Sequence, residues 1–169
     1  AYTERFYKVD THYRYFYYYY DSIEDVTKFE KLRELVENIY TNDYLNKITV
    51  NWNTEFAEAQ GKTSLRSQTD FFSYKVKNNK ERTAVIVSDA LRYDVAKTLF
   101  EKLSYDEKCT AEISAMQGVL PSYTALGMAA LLPHKTIEYN ENFDVLVDGK
   151  PTTSTEQREV ILKEYKPNS

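Results

Sequence analysis

An aspartate that directly follows an apolar, β-branched run is the first residue whose position could serve chemistry. Residues 83–88 read TAVIVS, which is typical of a strand buried on both faces of a parallel sheet, and Asp89 follows. Open α/β sheets bind ligands at the carboxyl ends of their strands, where a carboxylate can ligate a divalent cation or act as a nucleophile. The alternative is that Asp89 only caps the next helix. Arg92 and Asp94 are interpreted as a charge pair on the surface.

A threonine at the start of a predicted helix is the second candidate. Thr124 follows Gly118 and Pro121, where unpaired backbone N–H groups of a helix start converge and favour anions. A metal ion there would favour the alkoxide of the hydroxyl group and make it a nucleophile. The alternative is an ordinary capping hydroxyl, with Ser122 as the cap and Thr124 as a bystander.

The elements that must position these residues divide the sequence into two unlike pieces. Tyrosine occurs 16 times in the 169 residues, and eight of these lie in the first twenty. Residues 1–80 carry apolar residues at helical spacing over 6–20, 29–39 and 44–56, and so predict an α-helical, tyrosine-rich region. In the second helix the predicted apolar stripe is Phe29, Leu32, Leu35, Val36 and Ile39, with Glu24, Lys28, Lys31 and Glu34 facing water.

In the second piece, residues 81–169, segments with the pattern of strands alternate with segments that have the apolar spacing of helices. Strands are predicted over 83–88, 109–116 and 143–147, and helices over 91–103, 122–132 and 156–165. Strand and helix in alternation predict an α/β fold with a parallel sheet and right-handed crossovers. The strands are fewer than a complete sheet of this class normally has.

Composition excludes several classes of function. The net charge of −4 argues against a dedicated nucleic-acid surface. The single Cys109 excludes a disulfide framework, and with only His12 and His134 the chain cannot complete a zinc site of several histidines. No apolar run approaches the roughly 20 residues that span a bilayer, so we expect no membrane association and a reducing cytoplasm as the location.

Three ordered motifs carry a resemblance to a known family. They are VIVSDALRYD at 85–94, LPSYTALGMAALLP at 120–133 and VLVDGK at 145–150. Together they resemble the PglZ domain over about residues 82–169, and the helices before it resemble the region that precedes this domain. The resemblance implies an alkaline-phosphatase-superfamily fold in a BREX phage-defence system, alongside a DNA methyltransferase and ATPases as partners.

The resemblance also implies roles for individual residues. Asp89 corresponds to a metal ligand, and Thr124 to the metal-bound nucleophile, because Pro121-Ser122-Tyr123-Thr124 matches a Pro-x-x-Thr arrangement of the superfamily. Ser122 is the fallback nucleophile. The implied cofactor is a divalent metal, namely zinc, magnesium or manganese. The superfamily completes its two metal sites with Asp and His residues much further downstream, so we expect this chain to be part of a larger protein, to bind no metal by itself and to be inactive alone.

Three functions remain open. The first is a metal-dependent phosphatase or phosphodiesterase with a threonine nucleophile. The second is a non-enzymatic scaffold whose aromatic helices dock other defence components. The third is a nuclease-like phosphodiesterase acting on phage DNA at the same site, for which a basic groove beside Thr124 would be the mark.

Overall fold

The computed structural model describes residues 1–166 and contains two compact units. The first is built from Ala1–Thr63 and Ala90–Ser114, and the second from Ser64–Asp89 and the chain from Ala115 onward. The division into a helical region 1–80 and a domain 81–169 stays a prediction, and residues 167–169 of that domain lie outside the described residues. Within the described range, no helix is both long and apolar enough to cross a membrane.

Helices dominate, as the apolar spacing predicts. Over residues 1–166 the α-helices are Tyr7–Tyr20 (α1), Glu30–Asn38 (α2), Asn46–Glu58 (α3), Tyr93–Ser104 (α4), Thr124–Ala130 (α5) and Thr155–Tyr165 (α6). π-helical turns lie at Tyr2–Phe6, Ile39–Leu45 and Phe72–Val76, and 3₁₀ turns at Thr27–Phe29 and Gln68–Asp70. The strands are Ile137–Tyr139 (β1), Val145–Val147 (β2) and Lys150–Pro151 (β3).

The tyrosines of α1 bind carboxylates of α2. The hydroxyl groups of Tyr13 and Tyr17 donate to Glu37 Oε2 over 2.7 and 2.6 Å, and that of Tyr20 donates to Glu30 Oε2 over 2.9 Å. The hydrogen bonds from Tyr17 and Tyr13 hold the pKa of Glu37 below its ordinary value. The tyrosine-rich sequence therefore packs a helix through aromatic rings whose hydroxyl groups are paired with carboxylates.

The predicted apolar stripe of α2 consequently faces away from α1. Phe29, Leu32, Leu35 and Ile39 are between 42 and 55% exposed. The four charged residues expected to face water, Glu24, Lys28, Lys31 and Glu34, are exposed. Glu30 and Glu37 instead accept hydrogen bonds from the tyrosines of α1.

Asp94 ties α4 to α1 through ion pairs. Its side chain is fully buried, and Oδ2 accepts a hydrogen bond of 2.9 Å from Arg14 Nε. Arg92 Nε lies 3.2 Å from Oδ1, as an ion pair that is not aligned as a hydrogen bond. The interpretation of Arg92 and Asp94 as a surface pair is therefore wrong for Asp94, since it is closed off from water by residues distant in sequence.

Asp10, the second buried carboxylate of this unit, is surrounded by hydroxyl donors. Tyr40 donates to Oδ1 over 2.7 Å, Tyr2 donates to Oδ2, and the hydroxyl of Tyr44 lies 3.4 Å from Oδ2. Arg92 adds an ion pair at 3.4 Å. Burial and the negative charge of Asp10 raise the pKa of Tyr2 and Tyr44. The donors replace the water that this carboxylate loses on burial.

The second unit has its core between α5, the sheet and α6. The sheet is antiparallel in the order β1-β2-β3, with Ile137 opposite Val147 and Val147 opposite Lys150. Val147 and Ala129 are fully buried. The core residues are Leu126, Ala129, Leu132, Val145, Val147 and Ile161. A capping box of Ser154 and Gln157 begins α6.

The described residues contain no parallel sheet. Residues 83–88 and 109–116 are not assigned as strands, so the structure does not show these two predicted strands, whereas β2 falls within the predicted 143–147. A strand exists only where a neighbour pairs with its backbone. Side chains over 111–120 still alternate between half-buried and exposed, as in a strand. One isolated parallel bridge joins Ser67 to Gln117. The fold shown is mixed, mainly helical, with a small antiparallel sheet.

Candidate functional site

Asp89 directly follows an exposed run of residues that forms no helix or strand. Val85, Ile86 and Val87 are between 48 and 90% exposed. The run ends at a turn in which Ala90 has a φ of 57°. This left-handed conformation is uncommon for a residue with a Cβ and directs the chain out of the run immediately after the carboxylate.

Thr124 is the first residue of α5, where the sequence places it. The residue that caps this helix is Tyr123, whose side chain makes no capping hydrogen bond. The alternative in which Ser122 caps the helix is therefore wrong. The other side of α5 is fixed, because Leu126 and Ala129 belong to the core and pack with β2. Burial of one face holds the exposed Thr124 hydroxyl in place.

The two candidate side chains meet within the second unit. Thr124 Oγ1 donates a hydrogen bond to Asp89 Oδ2 over 3.2 Å, although 35 positions separate them in the sequence. Both residues are exposed. A carboxylate and a hydroxyl group thus lie side by side on an open surface, within reach of a ligand from solvent.

Two residues that precede Thr124, Ser122 and Tyr123, also carry hydroxyl groups. Ser122 lies two positions earlier, in the loop that follows the cis Leu120-Pro121 peptide bond, and is exposed. Hydrogen bonding to Tyr139 and loss of solvation raise the pKa of Tyr123 to about 12. Tyr123 therefore remains protonated at neutral pH, and its phenol group can only donate or accept hydrogen bonds.

The oxygens of Asp89 and Thr124 fit part of a metal site. Carboxylate and hydroxyl oxygens suit zinc, magnesium and manganese, and two oxygens 3.2 Å apart can both lie within about 2.0–2.5 Å of one cation. Within residues 1–166, no cluster of three or more His, Cys, Asp or Glu side chains could hold a metal ion. These residues can therefore supply two ligands of a cation but not a complete coordination shell.

Gln68 is a residue of this site that the sequence analysis does not find. Its Oε1 accepts a hydrogen bond of 3.1 Å from the backbone N–H of Val119, and its Nε2 donates one of 3.0 Å to the carbonyl oxygen of Gly127. It lies just after a polar stretch, in a 3₁₀ turn, and neither its type nor its spacing marks it.

Comparison with known proteins agrees with the motifs. Residues 71–169 match the family described as the BREX system PglZ alkaline phosphatase-like domain. The whole chain is similar to the alkaline phosphatase-like protein PglZ of Bacillus cereus (strain H3081.97), with 46% identity over 177 residues that cover 21% of that protein. The alkaline phosphatase-like protein BrxZ of Escherichia coli O9:H4 (strain HS) is 38% identical over 181 residues, covering 98% of this chain and 21% of the relative.

The matches cover most of this chain but only part of each relative. The chain spans about a fifth of the length of the curated relatives it matches. No solved structure matches it. The family match covers more than half of the chain and includes both Asp89 and Thr124. The chain therefore belongs to the PglZ alkaline phosphatase-like family of BREX systems.

Proposed function

We propose that this chain supplies one metal ligand and the nucleophile of a metal-dependent phosphatase or phosphodiesterase that acts in BREX phage defence. The observation that carries the proposal is the 3.2 Å hydrogen bond between Thr124 Oγ1 and Asp89 Oδ2. The alkaline phosphatase-like description of the family supports the reaction class.

Thr124 attacks phosphorus in this reaction. Because its hydrogen points to Asp89, the lone pairs of Oγ1 are free to face a phosphoryl group. The new bond joins Oγ1 to phosphorus, the hydroxyl proton passes to water, and the ester P–O bond breaks, with the leaving alkoxide taking a proton from water to become an alcohol. Water then hydrolyses the phosphothreonine. Asp89 and Thr124 would hold the divalent cation, which when bound favours the alkoxide and offsets charge on the phosphoryl oxygens.

Dependence on a divalent metal tests the proposal. A longer protein that carries this segment is expected to release nitrophenolate from 4-nitrophenyl phosphate or its diester with zinc, magnesium or manganese, and to lose this activity in EDTA. The ratio of monoester to diester turnover separates phosphatase from phosphodiesterase. The 169-residue chain alone serves as the control and is expected to be inactive, since residues 1–166 hold no cluster able to complete a metal site. Equal turnover in EDTA, or none with any of the three metals, would contradict the proposal.

We also propose a structural context and partners for this site. We place residues 83–88 and 109–116 in a parallel sheet of the longer protein, since the apolar composition of the first run and the alternating burial over 111–116 in the second suit strands. Other BREX components are the expected partners, because the family is defined within that system. The methyltransferase and ATPases as partners, DNA as a substrate and the cytoplasm as location stay predictions.

A non-enzymatic scaffold is the second candidate, and one observation favours it. Tyr18 and Tyr19 of α1 are 69 and 65% exposed, and the α2 stripe of Phe29, Leu32, Leu35 and Ile39 is also open. Aromatic and aliphatic side chains grouped on one unit are typical of a docking surface. Under this alternative, substitution of Thr124 leaves the function of the chain unchanged.

A further inference from the structure

The side chain of Gln68 joins two parts of the backbone that precede and follow Thr124. Val119, which donates to Gln68 Oε1, lies five positions before Thr124, and Gly127, which accepts from Nε2, lies three positions after it. Gly127 N–H also donates to Tyr123 O over 3.0 Å in the first turn of α5. One carboxamide thus connects the loop that precedes the proposed nucleophile to the first turn of α5, which carries it.

The two bonds suit a carboxamide. A backbone N–H can only donate and a carbonyl oxygen can only accept, so the side chain between Val119 and Gly127 must offer both an acceptor and a donor. A carboxylate keeps the acceptor and loses the donor, a thioether provides neither in useful strength, and asparagine is one methylene shorter. Glutamine therefore suits this position by chemistry and by length.

Gln68 is itself held by the backbone. Its N–H donates to Gln117 O over 2.8 Å, and Gln117 N–H donates to Arg66 O over 2.8 Å. Ser67 Oγ accepts from Thr69 N–H over 3.2 Å and caps the 3₁₀ turn. The backbone of Gln68 is therefore fixed, and its side-chain hydrogen bonds can restrain the position of α5.

We propose that Gln68 is a positioning residue that sets the place of Thr124 relative to Asp89. Its importance for catalysis rests on the proposed function, whereas the geometric claim does not. Without the carboxamide, residues 119–127 have more freedom, and the two side chains spend less time in contact.

Disulfide trapping measures this directly in the 169-residue chain. In a Cys109→Ser background, Asp89→Cys and Thr124→Cys are introduced together, and the effective concentration of the cysteine pair is read from the disulfide equilibrium in glutathione buffer. Gln68→Met is expected to lower it by about tenfold, since two hydrogen bonds are lost. Gln68→Glu keeps the acceptor for Val119 N–H, preserves the size of the side chain and is expected to cause a smaller loss.

The matched control is Gln157→Met, which removes the hydrogen bond of 3.0 Å from Ser154 N–H to Gln157 Oε1 in the capping box of α6, in the same unit. It is expected to lower the melting temperature but to leave the disulfide equilibrium unchanged. All variants are compared at a temperature where circular dichroism shows them folded. An equilibrium unchanged in both Gln68 variants would overturn the proposal, and so would an equal fall in Gln157→Met. The assay needs no turnover, so failure of the proposed phosphoester chemistry would appear separately, as inactivity of the longer protein with an intact disulfide effect.

Discussion

Thr124→Val is expected to lower phosphoester hydrolysis by a longer protein carrying this segment by at least about a thousandfold in kcat. Valine keeps the shape of threonine but has no oxygen to attack phosphorus and no hydrogen to donate to Asp89 Oδ2. Because Thr124 is exposed while Leu126 and Ala129 anchor its helix in the core, the substitution should not unfold the unit. The measurement is steady-state turnover of 4-nitrophenyl phosphate esters with the activating metal.

Two controls make this result specific. Ser122→Ala removes the other hydroxyl group of the loop and is expected to retain most of the activity. Thr49→Val changes an exposed threonine on α3 and is expected to retain all of it. If Ser122→Ala abolished turnover while Thr124→Val did not, the nucleophile would be Ser122. If neither variant reduced turnover, neither Ser122 nor Thr124 could be the nucleophile.

Asp94→Ala is expected to destabilise the first unit by about 3–5 kcal/mol. The substitution removes a carboxylate that is fully buried and takes from Arg14 of α1 the charge it pairs with on α4, whereas Arg92 loses one ion pair and keeps the one with Asp10. Single domains have about 5–15 kcal/mol of stability in total, so a loss of this size unfolds much of the population on mild heating. The free energy of unfolding in urea, followed by circular dichroism, measures it.

Asp43→Ala is the matched control. Asp43 pairs with Lys47 on the surface, over 3.0 Å and with both side chains about two-thirds exposed. Removing this pair should cost no more than about 0.5 kcal/mol. A loss of similar size in both variants would show that burial does not distinguish the Asp94 pair, and the account of the α1–α4 contact would then be wrong.

Helices could be predicted from the sequence because their signal is local. The spacing of apolar residues locates α1 to α4 and α6 to within a few residues, since each stripe is set by the period of its own helix. The orientation of α2 could not be predicted, because it depends on which helix it meets. Glu37 is polar by type, yet it faces the interior of the unit because Tyr13 and Tyr17 offer it hydroxyl groups.

Strands were harder to predict for a physical reason. A run such as 83–88 has the composition of a buried strand, but pairing depends on a neighbour that need not lie nearby in the sequence. In the described residues that neighbour is missing, and the run is exposed and forms no strand. By contrast, Val145–Val147 has partners within a few residues on both sides and forms β2 as predicted.

The candidate site was predictable only in part. Asp89 and Thr124 stand out because each occupies a special place, the end of an apolar run and the start of a helix, and the structure brings their side chains within 3.2 Å. Neither the role of Gln68 nor, in the other unit, the burial of Asp94 could be predicted, since both depend on partners 51 to 80 positions away. A single sequence carries no local signal for such pairs.

The central claim, that Asp89 and Thr124 share one cation, is tested most directly by anomalous scattering. A crystal of a longer protein containing this segment is soaked in Mn²⁺, and the anomalous peak is located relative to the two side chains. We expect one peak within about 2.5 Å of both an Asp89 carboxylate oxygen and Thr124 Oγ1. A peak that contacts Asp89 but leaves Thr124 Oγ1 outside the coordination shell, or a metal bound elsewhere with neither residue as a ligand, would contradict the account.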